Sequence, residues 1–305
     1  MTTYKWSPSD FTGDQLPPGQ DPIYTSSVRR FVAFTRLITD PDKGYPIMGL
    51  VTGSAGLGKT VAIQAYLTKL KPRAHTGLPG VISLQIKPRS TPKALALDIV
   101  KALGDRPRGR NIYQVSDGAA DAIERNDLRC IIVDEADRLN EDSFEVLRYL
   151  FDRTGCPIVV VGLPSIEHVI DRHEKFKSRV GARMQFLPVE RHEMLEVVLP
   201  NLVFPHWEFN YENHDDQVLG ELICDMVGPS LRKLRNLLQI ASQMARHYEQ
   251  QLIDTDMIIE AFSWSASKAD QRRLAESSSG KEVTLKETKS SRYEEQSAAR
   301  HDAKS

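Results

Sequence analysis

The sequence predicts an α/β protein: a parallel five-stranded sheet flanked by helices, followed by a small all-helical lid. Three observations lead there. Between about 27 and 188, short apolar runs at 47–51, 81–86, 128–133, 158–161 and 184–187 alternate with amphipathic segments, the βαβα order that builds a parallel sheet covered on both faces. The first of these runs leads straight into a glycine-rich loop, GSAGLGKT. After Glu190 the strand signal disappears, and helical periodicity extends to Phe262; within 231–248, Leu234, Leu237, Leu238, Ile240 and Ala241 mark one apolar stripe.

The N-terminal stretch, 1–26, is rich in Pro, Gly, Ser and Thr with scattered aromatics, Tyr4, Trp6, Phe11 and Tyr24. It reads as an irregular arm, and packing of the aromatics on the chain's own core is the expectation. The α/β core then runs over 27–188, the lid over 189–264 and a tail over 265–305.

After the first strand, Gly53, Ser54, Ala55, Gly56, Leu57, Gly58, Lys59 and Thr60 fit G-x-x-x-x-G-K-[ST] at every fixed position. A helix over 60–70 should follow. In such a strand–loop–helix unit, Gly53, Gly56 and Gly58 let backbone N–H groups turn inward around phosphate oxygens, and the helix N-terminus adds its dipole. Lys59 would lie against the β- and γ-phosphates, and the Thr60 hydroxyl would coordinate Mg²⁺. A plain glycine-rich turn is the competing reading; the strand before it, the helix after it and a second motif downstream argue against that.

Two basic clusters come next. Lys87, Arg89 and Lys93 follow the second apolar run, and Arg106, Arg108 and Arg110 fall in a Pro/Gly-containing loop. Phosphate contacts need charge and reach more than a rigid frame, although an isolated basic loop is more often just solvated.

The run CIIVDEADRL, 130–139, sets Asp134 and Glu135 directly after four apolar residues. A central parallel strand delivers carboxylates to its C-terminal edge in this way, where open α/β sheets bind ligands. Asp134 would hold Mg²⁺ through its water shell, and Glu135 would orient the water that attacks the γ-phosphate. The bland alternative is an acidic helix start, with Asp134 or Asp137 as an N-cap. The letters DEAD also mark an RNA helicase group, but too little chain follows for the second RecA-like domain those enzymes need.

Composition bounds the rest. The chain has 305 residues, 40% of them hydrophobic, and a formal charge of −1. Its apolar runs fall short of the ~18 residues that cross a membrane, and MTTYKWSPSDF lacks the basic-then-apolar order of a secretory signal; a cytoplasmic protein is expected. Cys130, Cys156 and Cys224 have no paired spacing and read as reduced, buried, small apolar residues. The tail from 266 onward is dominated by Ser, Lys, Glu and Arg and should stay disordered, because it buries too little to offset ordering entropy.

An α/β nucleotide core followed by a helical lid resembles the P-loop AAA+ module, over about 27–263. That resemblance implies further marks. A polar sensor is expected after the fourth strand, where this chain has Leu163, with Ser165 or a water as substitute. An arginine reaching a neighbouring subunit's nucleotide is expected in KSRVGAR, 177–183, just before the fifth strand; Arg179 is the first candidate and Arg183 the second. Donated in trans, such a guanidinium neutralises charge on the γ-phosphoryl group. In GPSLRKL, 228–234, Arg232 matches the second sensor arginine, with Arg235 one turn on.

Within AAA+ proteins, IIVDEADRLNEDSFEVLRYLFDRTGCPIVVVGLPSIEHVI at 131–170 and the R-x-x-A-R-M-Q-F stretch at 179–186 resemble the TniB/TnsC regulators of transposition, relatives of the phage MuB protein. The resemblance implies a bacterial, nucleoid-associated ATPase. Its ATP-bound subunits form rings or helical filaments on duplex DNA, respond to a target-selection protein and activate a transposase, and hydrolysis disassembles them. Lys87, Arg89, Arg106, Arg108 and Arg110 would then track the DNA backbone, and the tail and N-terminal arm become docking candidates. Two other readings remain: another AAA+ ATPase, such as a replication initiator, a helicase loader or an ExeA-like protein, and a small-molecule P-loop kinase.

Overall fold

Runs rich in valine and isoleucine fit a pleated surface buried on both sides, and in the computed structural model they form one sheet. The structure describes residues 21–40, 46–71, 80–107 and 109–271. The strands are β1 (Met48–Thr52), β2 (Val81–Gln85), β3 (Cys130–Asp134), β4 (Ile158–Gly162) and β5 (Val180–Gln185). They lie in the order β2-β3-β4-β1-β5, and every pairing is parallel.

The alternation along each strand sorts side chains into two cores. On one face Met48, Leu50, Ile131, Val133, Ile158 and Val160 pack with Leu95, Ile99, Ala119, Ile123, Phe144, Leu147, Ile166 and Phe176. These come from α3 (Pro92–Ala102), α4 (Ile112–Arg125), α5 (Glu141–Thr154), α6 (Ser165–Arg172) and α7 (Glu174–Lys177). On the other face Val51, Cys130, Ile132, Val159, Val161 and Met184 meet Phe31, Val32, Ala62, Ile63 and Tyr66, from α1 (Ser26–Thr39) and α2 (Lys59–Leu67). Strand positions one residue apart therefore serve opposite layers.

Side-chain caps set the helix starts: Thr25 accepts from Val28 N, Thr91 from Ala94 N, Asn111 from Gln114 N and Asn140 from Ser143 N. Of the expected N-terminal arm, Tyr24 docks on the chain's own α2, its hydroxyl donating to Ala65 O at 3.4 Å and its ring under Lys69 Nζ. Tyr4, Trp6 and Phe11 lie outside the described residues. All three cysteines are buried, and none of them forms a disulfide. Burial pushes the Cys156 thiol up to about 12, and the Cys130 thiol is raised well above its ordinary value by the same cause, so both act as apolar groups.

One strand differs from expectation. Instead of spanning 184–187, β5 runs Val180–Gln185, so Arg183 lies inside the strand rather than ahead of it. Among the described residues β5 is an edge strand paired with β1 alone, and its side chains alternate between exposed and partly or fully buried. A search for a continuous apolar run finds only its end.

Of the described residues, those up to Glu193 together with Pro229–Arg232 make one unit; Met194–Gly228 and the residues from Lys233 make the second. The second is helical throughout its described secondary structure. The main stretch of the first unit ends in the short helix α8 (Arg191–Glu193); the second unit contains a π-helical turn (Met194–Val198), the short helix α9 (Leu199–Asn201), then α10 (His214–Val227), α11 (Leu231–His247, from Lys233 on) and α12 (Thr255–Ser265). Leu234, Leu237, Leu238 and Ala241 bury the expected stripe of α11, and Ile240 is half-buried. Trp207 stacks on Phe209 with ring centroids 5.7 Å apart, and its Nε1 donates to Leu199 O at 3.2 Å. The first residues of the expected tail are also ordered: 268–271 form a helical turn. Ser267 Oγ accepts from Asp270 N there, and Lys233 Nζ donates to Asp270 Oδ1 at 2.5 Å. The lysine, with Ser267, holds the Asp270 carboxyl down at about 2. Composition alone could not foresee an ion pair between positions 37 residues apart.

Phe144, buried and edge-on to Phe176 at 5.0 Å between centroids, fills the centre of the α5–α7 layer. Phe144→Ala should destabilise the protein by about 3–5 kcal/mol; urea unfolding followed by circular dichroism reads this, and a loss under about 1 kcal/mol would mean the site collapses without leaving a cavity.

Candidate nucleotide-binding site

The loop Gly53–Thr60 leaves the C-terminal end of β1 and turns into α2. Its start is wedged between neighbouring strand ends. Gly53 N donates to Gly162 O at 3.2 Å, Phe186 N donates to Thr52 O at 2.7 Å, and a Cβ on Gly53 would stand 2.8 Å from Phe186 O. Gly53 is thus required for close approach, whereas Gly58 is required for its backbone: with φ 95 it is the left-handed N-cap of α2. Ser54 and Ala55 are exposed at the tip, and Leu57 is buried in the α1–α2 core, anchoring the loop.

Lys59 Nζ lies across the loop, donating to Gly53 O and Ser54 O at 2.7 Å each. Thr60 Oγ1 donates to Asp134 Oδ2 at 2.6 Å. Asp134, only 3% exposed, ends β3, and its Oδ1 accepts from Glu135 N at 2.9 Å. Both oxygens of a nearly buried carboxylate are therefore met, as burial of a charge requires. The structure brings the two motifs together at one edge of the sheet.

Glu135 follows in the left-handed region, with φ 54 and ψ 36, a conformation that costs a non-glycine residue roughly 1 kcal/mol or more and clusters at functional sites. It opens a 3₁₀ turn, Ala136–Arg138. The Glu135 carboxylate pairs with Arg138, and Arg138 Nη1 also donates to Ile86 O at 2.9 Å. Asp137 does not cap a helix: its Oδ1 accepts from Leu163 N at 3.0 Å, tying the end of β4 to this turn. At the expected sensor position, Leu163 is thus held through its backbone. Ser165, the suggested substitute, is exposed at the start of α6.

Sequence reasoning missed Asp137 in this role, Arg138, and the pair formed by Thr52 and Glu167, whose Oε1 accepts from Thr52 Oγ1 at 2.7 Å. No local signal joins Asp137 to Leu163 or Thr52 to Glu167, which lie far apart in the chain.

Arg232 reaches the loop within the same unit. Its N donates to Gly56 O at 3.3 Å, and a Cβ on Gly56 would lie 2.9 Å from Ser230 Oγ and 3.1 Å from Arg232 Cβ. The segment 230–232 therefore lies against the loop's central glycine.

Arg179 and Arg183 stand elsewhere. Arg179 O accepts from Met48 N at 2.9 Å, which sets Arg179 at the N-terminal edge of the sheet, opposite the loop. Its guanidinium is bidentate on Asp152 of α5, with Nε to Oδ1 at 2.9 Å and Nη2 to Oδ2 at 3.0 Å, and Nη1 donates to Lys175 O. Arg179, with Arg148 adding to it, holds the Asp152 carboxyl below the usual carboxylate range. Arg183, level with Leu50 in the register, has Asp171 Oδ1 3.7 Å from its Nη2. Neither arginine serves its own chain's loop.

Lys87, Arg89, Arg106 and Arg110 are exposed; Arg108 lies outside the described residues. Lys93 Nζ donates to Arg110 O at 2.7 Å, which joins the two basic segments beside the C-terminal end of β2. Tyr113, 78% exposed in the first turn of α4, stands beside them. Sequence reasoning had not singled it out.

Two hard oxygens, Thr60 Oγ1 and Asp134 Oδ2, converge at the loop's helix start. That donor set suits Mg²⁺, which takes its remaining ligands from water and nucleotide phosphates rather than from a protein cage. No helix among the described residues is long and apolar enough to cross a membrane.

Comparison with known proteins agrees with this geometry. Residues 43–170 match the family model of an AAA domain. A "Potential ATP-binding protein" of Staphylococcus aureus is 27% identical over 214 residues, covering 62% of this chain and 77% of that protein. Among solved structures, the ORC2 protein of Aeropyrum pernix in ADPNP–ADP complexes has a TM-score of 0.65 at 16% identity, covering 82% of this chain and 70% of the other. The ORC1 protein of the same organism, in complex with DNA, has a TM-score of 0.58 at 20% identity, covering 82% and 68%. With its loop, its Asp134 and its strand order in place, the stretch 43–170 is similar to AAA domains in both sequence and fold.

Proposed function

We propose that this chain is an ATP-hydrolysing, DNA-binding AAA+ regulator of transposition of the TniB/TnsC kind, which assembles on duplex DNA and activates a transposase. The observation that carries the ATPase part is the convergence of the loop, Thr60, Asp134 and Glu135 at one sheet edge. The transposition part rests on the likeness of 131–170 and 179–186 to that family.

In this reading the N–H groups of 53–60 cradle the phosphates. Lys59 leaves the carbonyls of Gly53 and Ser54 for the β- and γ-phosphates. Mg²⁺, held by Thr60 Oγ1 and through water by Asp134, would supply charge neutralisation on the phosphoryl oxygens. Glu135 orients the attacking water, and Arg232 meets the phosphates from beside Gly56. Arg179 is turned away from its own loop, as an arginine acting on a neighbour's nucleotide must be; it exchanges Asp152 for the neighbour's γ-phosphoryl group, with Arg183 as the second candidate. Assembly on DNA as a ring or filament then controls turnover.

Lys87, Arg89, Arg106, Arg108 and Arg110 contact the DNA backbone, where charge rather than base readout sets affinity. A target-selection protein and the transposase are the further partners. A second reading, a replication-initiator-like ATPase, draws on the likeness to the ORC proteins, one of them in complex with DNA.

Lys59→Ala should abolish nucleotide binding, and Glu135→Gln should keep binding while stopping turnover and trapping the assembled state; a fluorescent nucleotide titration beside a phosphate-release assay tests both, and normal hydrolysis by Glu135→Gln would remove Glu135 from the mechanism. Arg179→Ala should lower turnover at high protein concentration about 10³-fold while leaving nucleotide affinity intact, and mixing with Lys59→Ala subunits should restore part of it. Removing Arg106 and Arg110 together should weaken DNA binding and reduce the slope of log K against log salt by about 2. Electron microscopy with a slowly hydrolysed ATP analogue, with and without duplex DNA, tests the whole reading: nucleotide-dependent rings or filaments on DNA support it, and dispersed monomers in every condition overturn it. Activation of a transposase, against loading of a replicative helicase at one DNA sequence, separates the two readings.

A further inference from the structure

We propose that Arg138 is a positioning residue for Glu135, clamping one oxygen of its carboxylate to the C-terminal end of β2 so that the other oxygen meets the attacking water. The inference deepens the reading of Glu135 as the water-orienting group and rests on it. A glutamate carboxylate rotates in a broad, roughly two-fold well about its last torsion. Orientation of a water to within a fraction of an ångström needs something to hold that carboxylate.

The turn after β3 supplies the hold. Glu135 and Arg138 stand three residues apart, at the cap and at the end of the same 3₁₀ turn. Arg138 N donates to Glu135 O at 3.0 Å and Leu139 N to Ala136 O at 3.0 Å, which closes the turn, and Leu139 is buried beneath it. The guanidinium pairs with Glu135 Oε2, while its Nη1 also donates to Ile86 O at 2.9 Å. That carbonyl is itself fixed, because Ile86 is buried and its N donates to Asp134 O at 3.0 Å. The left-handed backbone of Glu135, with its N on Asp134 Oδ1, sets the other end of the side chain. Both ends of Glu135 are thereby referred to the strand that carries Asp134. A planar guanidinium can hold a carboxylate and a carbonyl in one fixed geometry, which a lysine ammonium on a flexible stem does less well.

An ordinary half-exposed ion pair would contribute little to stability and nothing to turnover. The two roles separate in kinetics. Steady-state ATP hydrolysis of the full chain, with Mg²⁺ and duplex DNA, would be measured for wild type, Arg138→Gln, Arg138→Lys, Glu135→Gln and the Glu135→Gln/Arg138→Gln double variant, alongside affinity for a fluorescent ATP analogue. Arg138→Gln should lower kcat roughly 10- to 100-fold, with KM and nucleotide affinity changed by less than about twofold. Arg138→Lys should recover part of the loss, and the double variant should be no slower than Glu135→Gln alone. An unchanged kcat in Arg138→Gln, a loss confined to KM, or additive losses in the double variant would overturn the clamp. If Glu135→Gln turns over like wild type, the water-orienting reading fails and the clamp with it; if Glu135→Gln is inactive while Arg138→Gln is normal, the clamp alone fails.

Discussion

Asp134 is a carboxylate taken almost entirely out of water at the end of a strand buried on both faces, and the arrangement around it follows from having to satisfy both of its oxygens. One accepts from Thr60 and so fixes the first turn of α2; the other accepts from the N of Glu135 and so fixes the turn that follows β3. An unmet charge there would cost several kcal/mol. The loop, the helix start and the Glu135 turn are consequently held in one register by a single side chain, and it is the side chain that would face a phosphate-bound cation.

The sheet makes that register possible. β3 and β4 are central, paired on both sides, and alternate residues of each feed the two helix layers. A strand locked in this way delivers its last residue to a defined point. Gly162 O at the end of β4 receives Gly53 N, and Asp137 receives Leu163 N, so adjacent strand ends are knitted to each other and to the loop. The edge strand β5 has one neighbour among the described residues, tolerates arginine at position 183, and carries Arg179 to the far edge of the sheet. The loop with Asp134 and the Arg179 side chain are thus set at opposite ends of the same strands.

The strength of the arginines depends on their local partners. Arg179 forms a bidentate pair with Asp152 in a network that also includes Arg148 and Glu145. The bidentate geometry and the shared carboxylate make this a stronger arrangement than an isolated surface ion pair. Arg138, in contrast, is tied to a buried main-chain carbonyl, and its geometry is set by the turn it belongs to.

The sequence by itself determined the class of the fold, the loop and the two carboxylates, because these depend on short-range rules: apolar runs at strand length, a glycine pattern that fixes a backbone, acidic residues directly after a buried run. It also located Arg232 and the basic segments as charges. Only the tertiary structure decided where those charges stand. The return of 230–232 to Gly56, the joining of Lys93 to Arg110, the start of β5 at Val180 and the tie between Asp137 and Leu163 all link residues far apart in sequence. Their positions follow from packing of whole layers, which no local pattern encodes.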